Sequence, residues 1–592
     1  MEVALTNEEG WSGESIVAVL GERAARHPER LALRFLPDGE NPGEAWSYAQ
    51  LHQDALALAV RLRQRVDAGQ RAFLLYPNGP AYVRGLLGCF YAGIVAVPAF
   101  PPRSLGAQHI ERILSIARDA EPSLLLTEQA LVQPLSALKA TVPSLASVEV
   151  LATDRAEPAG SLPTLPAPQS SALAMLQYTS GSTATPKGVM LTHGNLLANQ
   201  RAIQNAFGMR EDDVVVSWLP LFHDMGLIGT LLQPLFCGAS AVLFAPQQFM
   251  ERPERWLKAI SRFGGTVSGA PDFAYRLCAE RVDPALVQQL QLGSWRLAFC
   301  GAEPVRYETL QAFAGKFAPA GFHPGALYPC YGLAEATLIV SGGQHGQGLQ
   351  VVRFDASALA QHRVVPAAEG RPLVGCGAAQ PEHELRVVDP ETGHYLGQGQ
   401  IGEIWVSGPS IAQGYWQNPE ATERTFPRHE DKVFLRTGDL GFEHEGALFV
   451  TGREKDLIIV RGQNLYPQDI ERSVEENVSV LRKGRIAAFS IEVAGQEGIA
   501  VAGEVNPRLQ QLIEPAAVCR AISESVARTQ GESPSLVLLL RPGTLPITSS
   551  GKLQRSATRA AWRDGTLEIV ASHSQEPAAP KGAPREPGTT IG

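Results

Sequence analysis

The sequence contains no C-x-x-C pair, and no histidines stand at metal-binding spacing from its cysteines. The seven cysteines are scattered singly: Cys89, Cys237, Cys278, Cys300, Cys330, Cys376 and Cys519. This pattern argues against a structural zinc site and is typical of a reducing compartment, where cysteines serve as small buried hydrophobes. We therefore expect a cytoplasmic protein. The acidic opening MEVALTNEEG, which lacks a basic-then-apolar signal, favours the same expectation.

A block of lysines and arginines is also absent, and the formal net charge is -9. Proteins that bind nucleic acid usually carry a basic surface that neutralises phosphates. We therefore expect no nucleic-acid partner, although a local basic cluster could still receive an acidic protein.

A membrane-spanning helix is not predicted either. The stretch from Gly85 to Pro102 runs 18 residues without a formal charge, close to the length that crosses a bilayer. It carries three glycines and three prolines, which favour a buried helix, a short strand and a turn. We expect no transmembrane segment.

The composition is that of a globular α/β protein, with 592 residues, 44% of them hydrophobic and 19% charged, too many for one compact core. Between residues 10 and 150, helical patterns such as 47–65 alternate with apolar runs such as 72–76, which predicts mainly parallel sheets. Residues 341–348, SGGQHGQG, predict an exposed break. From Leu385 onward LRVVDPETG, GEIWVSG and ALFVTG predict short strands joined by tight turns.

The predicted fold is thus α/β, with a large N-terminal domain, 1–455, that has mixed sheets, helices and a β-rich subdomain. A small α+β C-terminal domain, 456–570, follows where GREKDLIIVRGQNLYPQDIE changes character at Lys455–Asp456. Residues 571–592 have almost no large apolar side chains and predict a disordered tail.

The string TSGSTATPKG, residues 179–188, has the composition of a polyphosphate-binding loop. It offers two glycines, five hydroxyls and the charge of Lys187. A Walker A loop cannot be matched onto it, which removes the main support for a kinase or GTPase. The residues alone leave two interpretations open, a phosphate cradle or a Ser/Thr/Gly-rich turn between two strands.

Six motifs in order extend this observation over nearly the whole chain: YTSGSTATPKG at Tyr178, CGAEPV at Cys300, YGLAEAT at Tyr331, RTGDLG at Arg436, GREKD at Gly452 and PITSSGKLQR at Pro546. Together they resemble the adenylate-forming superfamily of acyl-CoA synthetases, peptide-synthetase adenylation domains and luciferases. WLPLFHDMGLIG, RGQNLYPQDIE and the segment between YGLAEAT and GCGAAQ resemble, more narrowly, its fatty acyl-AMP ligases. Ala334, where the wider superfamily commonly has Thr or Ser, fits that subgroup.

The resemblance implies that the protein uses ATP and Mg²⁺ to activate a medium- or long-chain fatty acid as acyl-AMP, releasing pyrophosphate. The acyl group would then pass to the phosphopantetheine thiol of an acyl carrier protein belonging to a polyketide or peptide synthase. The carrier would act in trans, because the chain has no Asp-Ser dipeptide for its attachment. The connection 341–372 resembles an insertion that restrains domain rotation and disfavours coenzyme A as acceptor.

Nucleotide-binding residues follow from the same resemblance. The phosphates would be held by Thr179, Ser180, Gly181, Ser182, Thr183 and Lys187. The adenine would be framed by Gly301, Ala302, Glu303, the ring of Tyr331, and Gly332. Asp439 would accept hydrogen bonds from the ribose hydroxyls, and Arg453 would support the same ribose.

The catalytic and metal assignments have the same basis. Glu335, with Thr179 as a weaker candidate, would place Mg²⁺. His223 would lie near the acyl carboxylate, and Lys552 would bridge that carboxylate and the α-phosphate as the catalytic cation, alongside Lys187. Lys552 belongs to the small domain, so the resemblance implies a mobile domain with a hinge at Asp456.

Each assignment has an ordinary structural alternative. His223 could be a core histidine, Glu335 a solvated loop residue, Asp439 a turn former and Lys552 a solubilising charge. Among functions, a fatty acyl-CoA synthetase, a non-catalytic acyl- or nucleotide-binding protein and a luciferase-like oxygenase remain alternatives, because a fold does not fix a function. The retained charged residues argue against the non-catalytic one.

Overall fold

The computed structural model describes residues 14–99, 107–140, 142, 145–155, 165–179, 186–461, 463–493, 496–509, 514–548 and 552–574. The helices in chain order are α1 (Ile16–Arg26), α2 (Tyr48–Arg63), α3 (Pro80–Ala92), α4 (Ala107–Ala120), α5 (Gln129–Ala140), α6 (His193–Phe207), α7 (Asp224–Gly226), α8 (Gln233–Cys237), α9 (Pro246–Glu251), α10 (Glu254–Phe263), α11 (Asp272–Arg281), α12 (Pro284–Val287), α13 (Tyr307–Phe317), α14 (Ala356–Ala360), α15 (Pro419–Thr425), α16 (Pro467–Asn477), α17 (Pro515–Gln530) and α18 (Arg555–Arg563).

The strands in chain order are β1 (Leu31–Leu36), β2 (Ala45–Ser47), β3 (Arg71–Leu75), β4 (Val95–Ala99), β5 (Leu124–Thr127), β6 (Glu149–Ala152), β7 (Leu173–Thr179), β8 (Lys187–Thr192), β9 (Val214–Ser217), β10 (Ser240–Phe244), β11 (Val267–Ala270), β12 (Leu297–Cys300), β13 (Leu327–Gly332), β14 (Ile339–Gly342), β15 (Val351–Phe354), β16 (Arg371–Val374), β17 (Ala378–Ala379), β18 (Glu384–Val388), β19 (Gly402–Ser407), β20 (Arg428–His429), β21 (Lys432–Val433), β22 (Leu435–His444), β23 (Ala447–Arg453), β24 (Ile458–Val460), β25 (Gln463–Leu465), β26 (Leu481–Val493), β27 (Gln496–Val505), β28 (Leu536–Leu540) and β29 (Ile569–Ser574).

Two large sheets dominate the N-terminal part, and the fold is mixed α/β as predicted. One has the order β17-β14-β13-β12-β11-β9-β10-β1-β2, and the other β6-β5-β3-β4-β7-β8. The central pairs in both are parallel. Antiparallel strands stand at both edges of the first sheet and at the β8 edge of the second, whereas β6 at its other edge is parallel to β5. The alternation of helices and apolar runs therefore predicted the strand direction correctly.

Local signals placed the early elements well. Helix α2 covers most of the predicted 47–65, and Ser47 and Gln50 form a capping box at its start. Within the uncharged stretch that begins at Gly85, α3 and β4 confirm the predicted buried helix and short strand. The turn predicted at its end falls on residues 100–102, outside the described residues. Within the described residues no helix is long and apolar enough to cross a membrane.

The β-rich region predicted from Leu385 is the four-stranded sheet β18-β19-β22-β23. The exposed break predicted at residues 341–348 is wrong for its first two residues. Ser341 and Gly342 belong to β14, where they pair with β13 and β17, and Ser341 is fully buried. Serine and glycine next to each other suggested a loop, but glycine also occurs in strands where another group packs closely against the backbone. At Gly342 that group is the Tyr328 side chain.

The C-terminal residues build the sheet β26-β27-β28-β29, with α16 and α17 packed around a hydrophobic cluster of its own. The predicted start of the tail at residue 571 falls inside β29, so residues 571–574 are a strand paired with β28. The tail prediction otherwise lies outside the described residues. Lys455 and Asp456, where the domain boundary is predicted, lie in a single 3₁₀ turn, Glu454–Asp456.

Candidate functional site

A cavity of about 1530 Å³ opens between the N-terminal part and residues 456–574. Its floor is formed where parallel strands β9, β11 and β12 end, since Trp218, Pro271 and Gly301 follow those strands and line it. Ligands of open parallel sheets bind at this edge.

The cavity gathers most of the predicted site residues: Thr179, His223, Gly301, Ala302, Glu303, Tyr331, Gly332, Glu335, Asp439, Arg453, Asp456 and Lys552. They come from positions spread over nearly 400 residues of chain, roughly two thirds of its length. Lys187, at the start of β8, is described but is not among the residues that line the cavity. The other predicted residues of the phosphate loop, Ser180, Gly181, Ser182 and Thr183, lie outside the described residues.

Asp439 is held on both carboxylate oxygens. The Tyr331 hydroxyl donates to Oδ2 at 2.7 Å, and Arg453 Nε lies 3.0 Å from Oδ1. Arg453 reaches it because the two residues face each other in the register of β22 and β23. Gly438, with φ of 68°, makes the turn that directs Asp439 into the cavity. Asp439 in turn raises the pKa of Arg453.

Glu335 forms a second charged group with Tyr415 and Lys187. The Tyr415 hydroxyl donates to Glu335 Oε1 at 2.9 Å, and Lys187 Nζ lies 4.7 Å from the centroid of the Tyr415 ring. Burial raises the pKa of Glu335 and lowers that of Lys187, which Lys455 and Arg424 also depress. Tyr415 was missed by sequence reasoning, because nothing in GYW marks it as a partner of a glutamate 80 residues away.

A strained loop presents Glu335. Thr337 has φ of 70° and ψ of -60°, and Leu338 N donates to Ala336 O at 2.9 Å, which is a γ-turn of the rare kind. The Thr337 hydroxyl donates to Ser410 O at 2.6 Å and holds this geometry. A Cβ on Gly332 would lie 1.9 Å from Leu338 O, so only glycine fits there. The motif YGLAEAT therefore specifies the tight turn around Thr337 as well as the Glu335 side chain.

His223 lies beside an aspartate that sequence reasoning did not single out. His223 Nδ1 is 2.5 Å from Asp224 Oδ1, which also accepts from Met225 N at 2.7 Å. Burial disfavours the charge on Asp224, but His223 and Lys552 outweigh it and keep its pKa below the usual value. Because His223 lines the cavity, it is not a residue of the closed core. Asp224 could have been identified from the sequence, because it directly follows His223 in LFHDMG.

Lys552 enters the cavity from the C-terminal part. Its carbonyl accepts from Thr548 N at 2.7 Å and its own N–H donates to the Thr548 hydroxyl at 3.0 Å, which closes the base of its loop. Burial lowers the pKa of Lys552, whereas Asp224 and Glu303 act in the opposite direction. The lysine thus faces carboxylates contributed by the N-terminal part.

Two further carboxylates lie at the end of the sheet, Asp272, which is buried, and Glu303, which is half-buried. Glu303 Oε1 accepts from Phe273 N at 2.7 Å, and Asp272 Oδ1 accepts from Arg306 N at 2.9 Å. Burial, reinforced by Glu303, raises the pKa of Asp272 to about 7. Sequence reasoning used Glu303 only for its backbone and did not identify Asp272.

Part of the cavity lining is apolar and includes Phe207, Met225 and Leu338. The helix at its wall contains a π-helical segment, Leu227–Leu232, between α7 and α8. Such segments often occur at functional sites.

Polar contacts join the connection 341–372 to the C-terminal part. Arg371 Nη1 lies 2.6 Å from Asp469 Oδ2, and the Arg371 guanidinium lies 5.5 Å from the Tyr466 ring centroid. Asn464 Nδ2 donates to Ala360 O at 3.0 Å. Elsewhere across the same boundary Arg306 pairs with Glu475 at 3.0 Å.

Comparison with known sequences points to one family. A family model described as AMP-binding enzyme matches residues 20–416. A medium-chain-fatty-acid–[acyl-carrier-protein] ligase, JamA of Moorena producens, is 41% identical over 94% of this chain and 96% of its own. A long-chain-fatty-acid–AMP ligase, FadD26 of Mycobacterium marinum, is 36% identical over 93% of this chain and 97% of its own.

Solved structures agree with the sequence comparison. A fatty acid AMP ligase from Legionella pneumophila is 37% identical, with a TM-score of 0.73 over 95% of this chain and 98% of its own. A structure from a study of fatty acyl-adenylate ligases of E. coli and L. pneumophila is 33% identical, with a TM-score of 0.85 over 94% and 98% of the two chains.

Proposed function

Because this chain belongs to the family of AMP-binding enzymes, we propose that it uses ATP to activate a medium- or long-chain fatty acid as acyl-AMP, with release of pyrophosphate. The observation that carries this proposal is that Lys552 and the Asp439–Arg453 pair line one cavity, and that part of the lining of this cavity is apolar. Two relatives that are named as fatty-acid ligases, and that match this chain over nearly their whole length, support the proposal.

In this proposal Asp439 receives the ribose hydroxyls, for which Tyr331 and Arg453 already orient its carboxylate. Gly301, Ala302 and Gly332 frame the adenine. The phosphate-loop residues with Lys187 hold the β- and γ-phosphates. No protein nucleophile is needed, because the substrate carboxylate itself attacks the α-phosphorus.

Lys552 neutralises charge where the new bond forms, bridging the acyl carboxylate and the α-phosphate. The carboxylates of Asp224 and Glu303 favour the charged form of Lys552 electrostatically. His223 lines the same cavity, where it places or gates the acyl carboxylate.

Mg²⁺ is part of the proposal, and the residues fit it. Glu335 offers a carboxylate oxygen that takes no hydrogen bond from another described side chain, and Thr179 lies in the same cavity. Within the described residues no group of three or more His, Cys, Asp or Glu could form a metal cage. A magnesium ion held by one carboxylate, water and substrate phosphates is the usual arrangement for this cation, which polarises the phosphate oxygens when bound.

We further propose that the acyl acceptor is the phosphopantetheine thiol of a carrier protein of a polyketide or peptide synthase, acting in trans. Two of the relatives are named as ligases of the acyl-carrier-protein type. The contacts of Arg371 and Ala360 with the C-terminal part support a restraint on domain rotation by the 341–372 connection. A cytoplasmic location is proposed from the seven unpaired cysteines.

A panel of fatty acids of increasing length, supplied with ATP and Mg²⁺, tests both proposals when coenzyme A and a holo carrier protein are offered in parallel. Mass spectrometry of the products identifies the chain length and the acceptor together. We expect acyl-AMP in the absence of a thiol and acyl-carrier protein in its presence. Efficient acyl-CoA formation would instead identify a fatty acyl-CoA synthetase, and absence of pyrophosphate with every acid would favour a non-catalytic binding protein.

A further inference from the structure

Arg555 stands three residues after Lys552, at the start of α18, and its guanidinium joins three separate segments. Nε and Nη2 lie 2.7 and 2.8 Å from the two oxygens of Glu471, a bidentate pair. Nη1 lies 2.9 Å from Asp456 Oδ2. The same guanidinium therefore contacts α16 and the 3₁₀ turn that links the two parts of the molecule.

This cluster is well shielded from solvent. The side chains of Arg555, Asp456 and Glu471 are 19%, 14% and 4% exposed. Glu471 Oε1 also accepts from Ala488 N at 3.0 Å, which fixes the carboxylate to β26. Burial opposes the charge on Arg555, but the two carboxylates outweigh it and raise its pKa. The arginine is therefore held permanently charged in a fixed orientation.

The cluster connects the ribose end of the site with the catalytic loop. Asp439 pairs with Arg453, which lies three residues before Asp456, and Asp456 pairs with Arg555, which lies three residues after Lys552. Asp439 and Lys552 are thus connected through two ion pairs and the two short segments 453–456 and 552–555. The distance between the Lys552 ammonium group and the nucleotide site depends on both ion pairs.

We propose that Arg555 is a positioning residue for acyl-AMP formation, which sets Lys552 in the site by fixing its loop to Asp456 and Glu471. It does not touch the substrates itself. This inference rests on the proposed function, because it takes Lys552 as the cation of the first half-reaction. The Glu471 contacts lie within the C-terminal part, whereas the Asp456 contact reaches the turn between the two parts.

Two variants test this proposal. Arg555→Lys keeps the positive charge but cannot form the bidentate pair with Glu471, and Asp456→Asn keeps the shape of the side chain but loses its ion pair with Arg555. Pyrophosphate exchange reports the first half-reaction, and transfer from supplied decanoyl-AMP to pantetheine reports the second. We expect R555K to lower kcat of exchange by about 100-fold, because a misplacement of one ångström can cost that much. D456N should lower it by about tenfold, with one ion pair of the cluster lost.

Neither variant should change KM for ATP, and R555K should also leave the transfer step unchanged. This split separates positioning from general loss of structure. Glu532→Gln is the matched control, because Glu532 pairs at 3.1 Å with Arg461, whose side chain is 78% exposed, in the same part of the chain. It should leave both half-reactions unchanged. Thermal unfolding of all variants identifies any that fail to fold, in which case D456N carries the test alone.

Equal losses in both half-reactions of R555K, or no loss of pyrophosphate exchange in either variant, would overturn the positioning role. These outcomes differ from a failure of the proposed function, in which the wild-type protein itself would show no pyrophosphate exchange.

Discussion

The Tyr331 hydroxyl donates a hydrogen bond of 2.7 Å to Asp439 Oδ2 across 108 residues of chain, while Arg453 occupies the other carboxylate oxygen at 3.0 Å. The carboxylate assigned to the ribose is therefore oriented before any nucleotide arrives. Such preorganisation avoids the loss of side-chain entropy at the moment of binding.

Asp439→Asn should raise KM for ATP by about tenfold or more, because a hydrogen bond to a charged acceptor contributes about 1.5–3 kcal/mol. It should also reduce the preference for ATP over 2′-deoxy-ATP, measured as the ratio of kcat/KM values. Tyr331→Phe removes only the orienting hydroxyl and should have a smaller effect of the same kind. An unchanged preference in D439N would exclude the ribose role of Asp439.

Lys552→Ala should lower the rate of pyrophosphate release by about 100- to 1000-fold, the range for loss of one preorganised electrostatic group. The affinity for ATP, measured by calorimetry, should change little, because Asp439 and the phosphate loop are intact. Lys432→Ala provides the control. Lys432 is an exposed lysine on the β20–β21 hairpin, and it pairs with Glu384 of β18. Near-wild-type pyrophosphate release by K552A would refute the role assigned to Lys552.

Asp272 predicts a pH dependence of stability. Its pKa rises from 3.8 to about 7 on folding, so between these values the folded state binds the proton more tightly than the unfolded state. The contribution of Asp272 is therefore fully present below pH 3.8 and is lost as the pH rises towards 7 and above. Glu303, which reinforces the shift, and Arg306, which opposes it, face the same carboxyl group.

Asp272→Asn should be more stable than the wild type at pH 8, by at most about 4 kcal/mol on the conversion of pKa to free energy. Asn can still accept from Arg306 N, so the shape of the site is preserved. The advantage should shrink as the pH falls to 5, as followed by denaturant unfolding at each pH. A difference between the proteins that stayed constant with pH would contradict this assignment.

Arg371→Ala should increase the share of acyl-CoA among the products when coenzyme A competes with a carrier protein. The substitution removes the ion pair with Asp469 and the contact with Tyr466, both of which join the 341–372 connection to the C-terminal part. Arg353→Ala is its control, because Arg353 lies on the same hairpin and its side chain donates a hydrogen bond to Gly370 O. The same product ratio in both variants would show that this ion pair does not restrain the acceptor choice.

The sequence predicted the architecture where local signals were sufficient. The periodicity of residues 47–65 and the Ser47 cap located α2, and the apolar runs located parallel strands. Ordered motifs also identified residues that the fold brings to one cavity. Their roles as ligands and catalysts stay predictions.

Contacts between segments that are distant in the chain could not be predicted from local sequence patterns. Tyr415 reaches Glu335, Asp224 faces Lys552, and Arg555 holds Asp456 only after the chain has folded. The positive φ of Thr337 is likewise imposed by tertiary contacts against the preference of a β-branched residue. The boundary at residue 571 failed for a similar reason, since pairing with β28 stabilises a strand of mostly exposed side chains.

The central claim, that the substrate carboxylate attacks the α-phosphorus of ATP, is tested most directly with a fatty acid labelled with oxygen-18 in its carboxyl group. After activation and acyl transfer to a thiol, the AMP is isolated and analysed by mass spectrometry. The account predicts AMP that carries one labelled oxygen from the carboxylate, together with pyrophosphate. Unlabelled AMP, or ADP with inorganic phosphate, would contradict it.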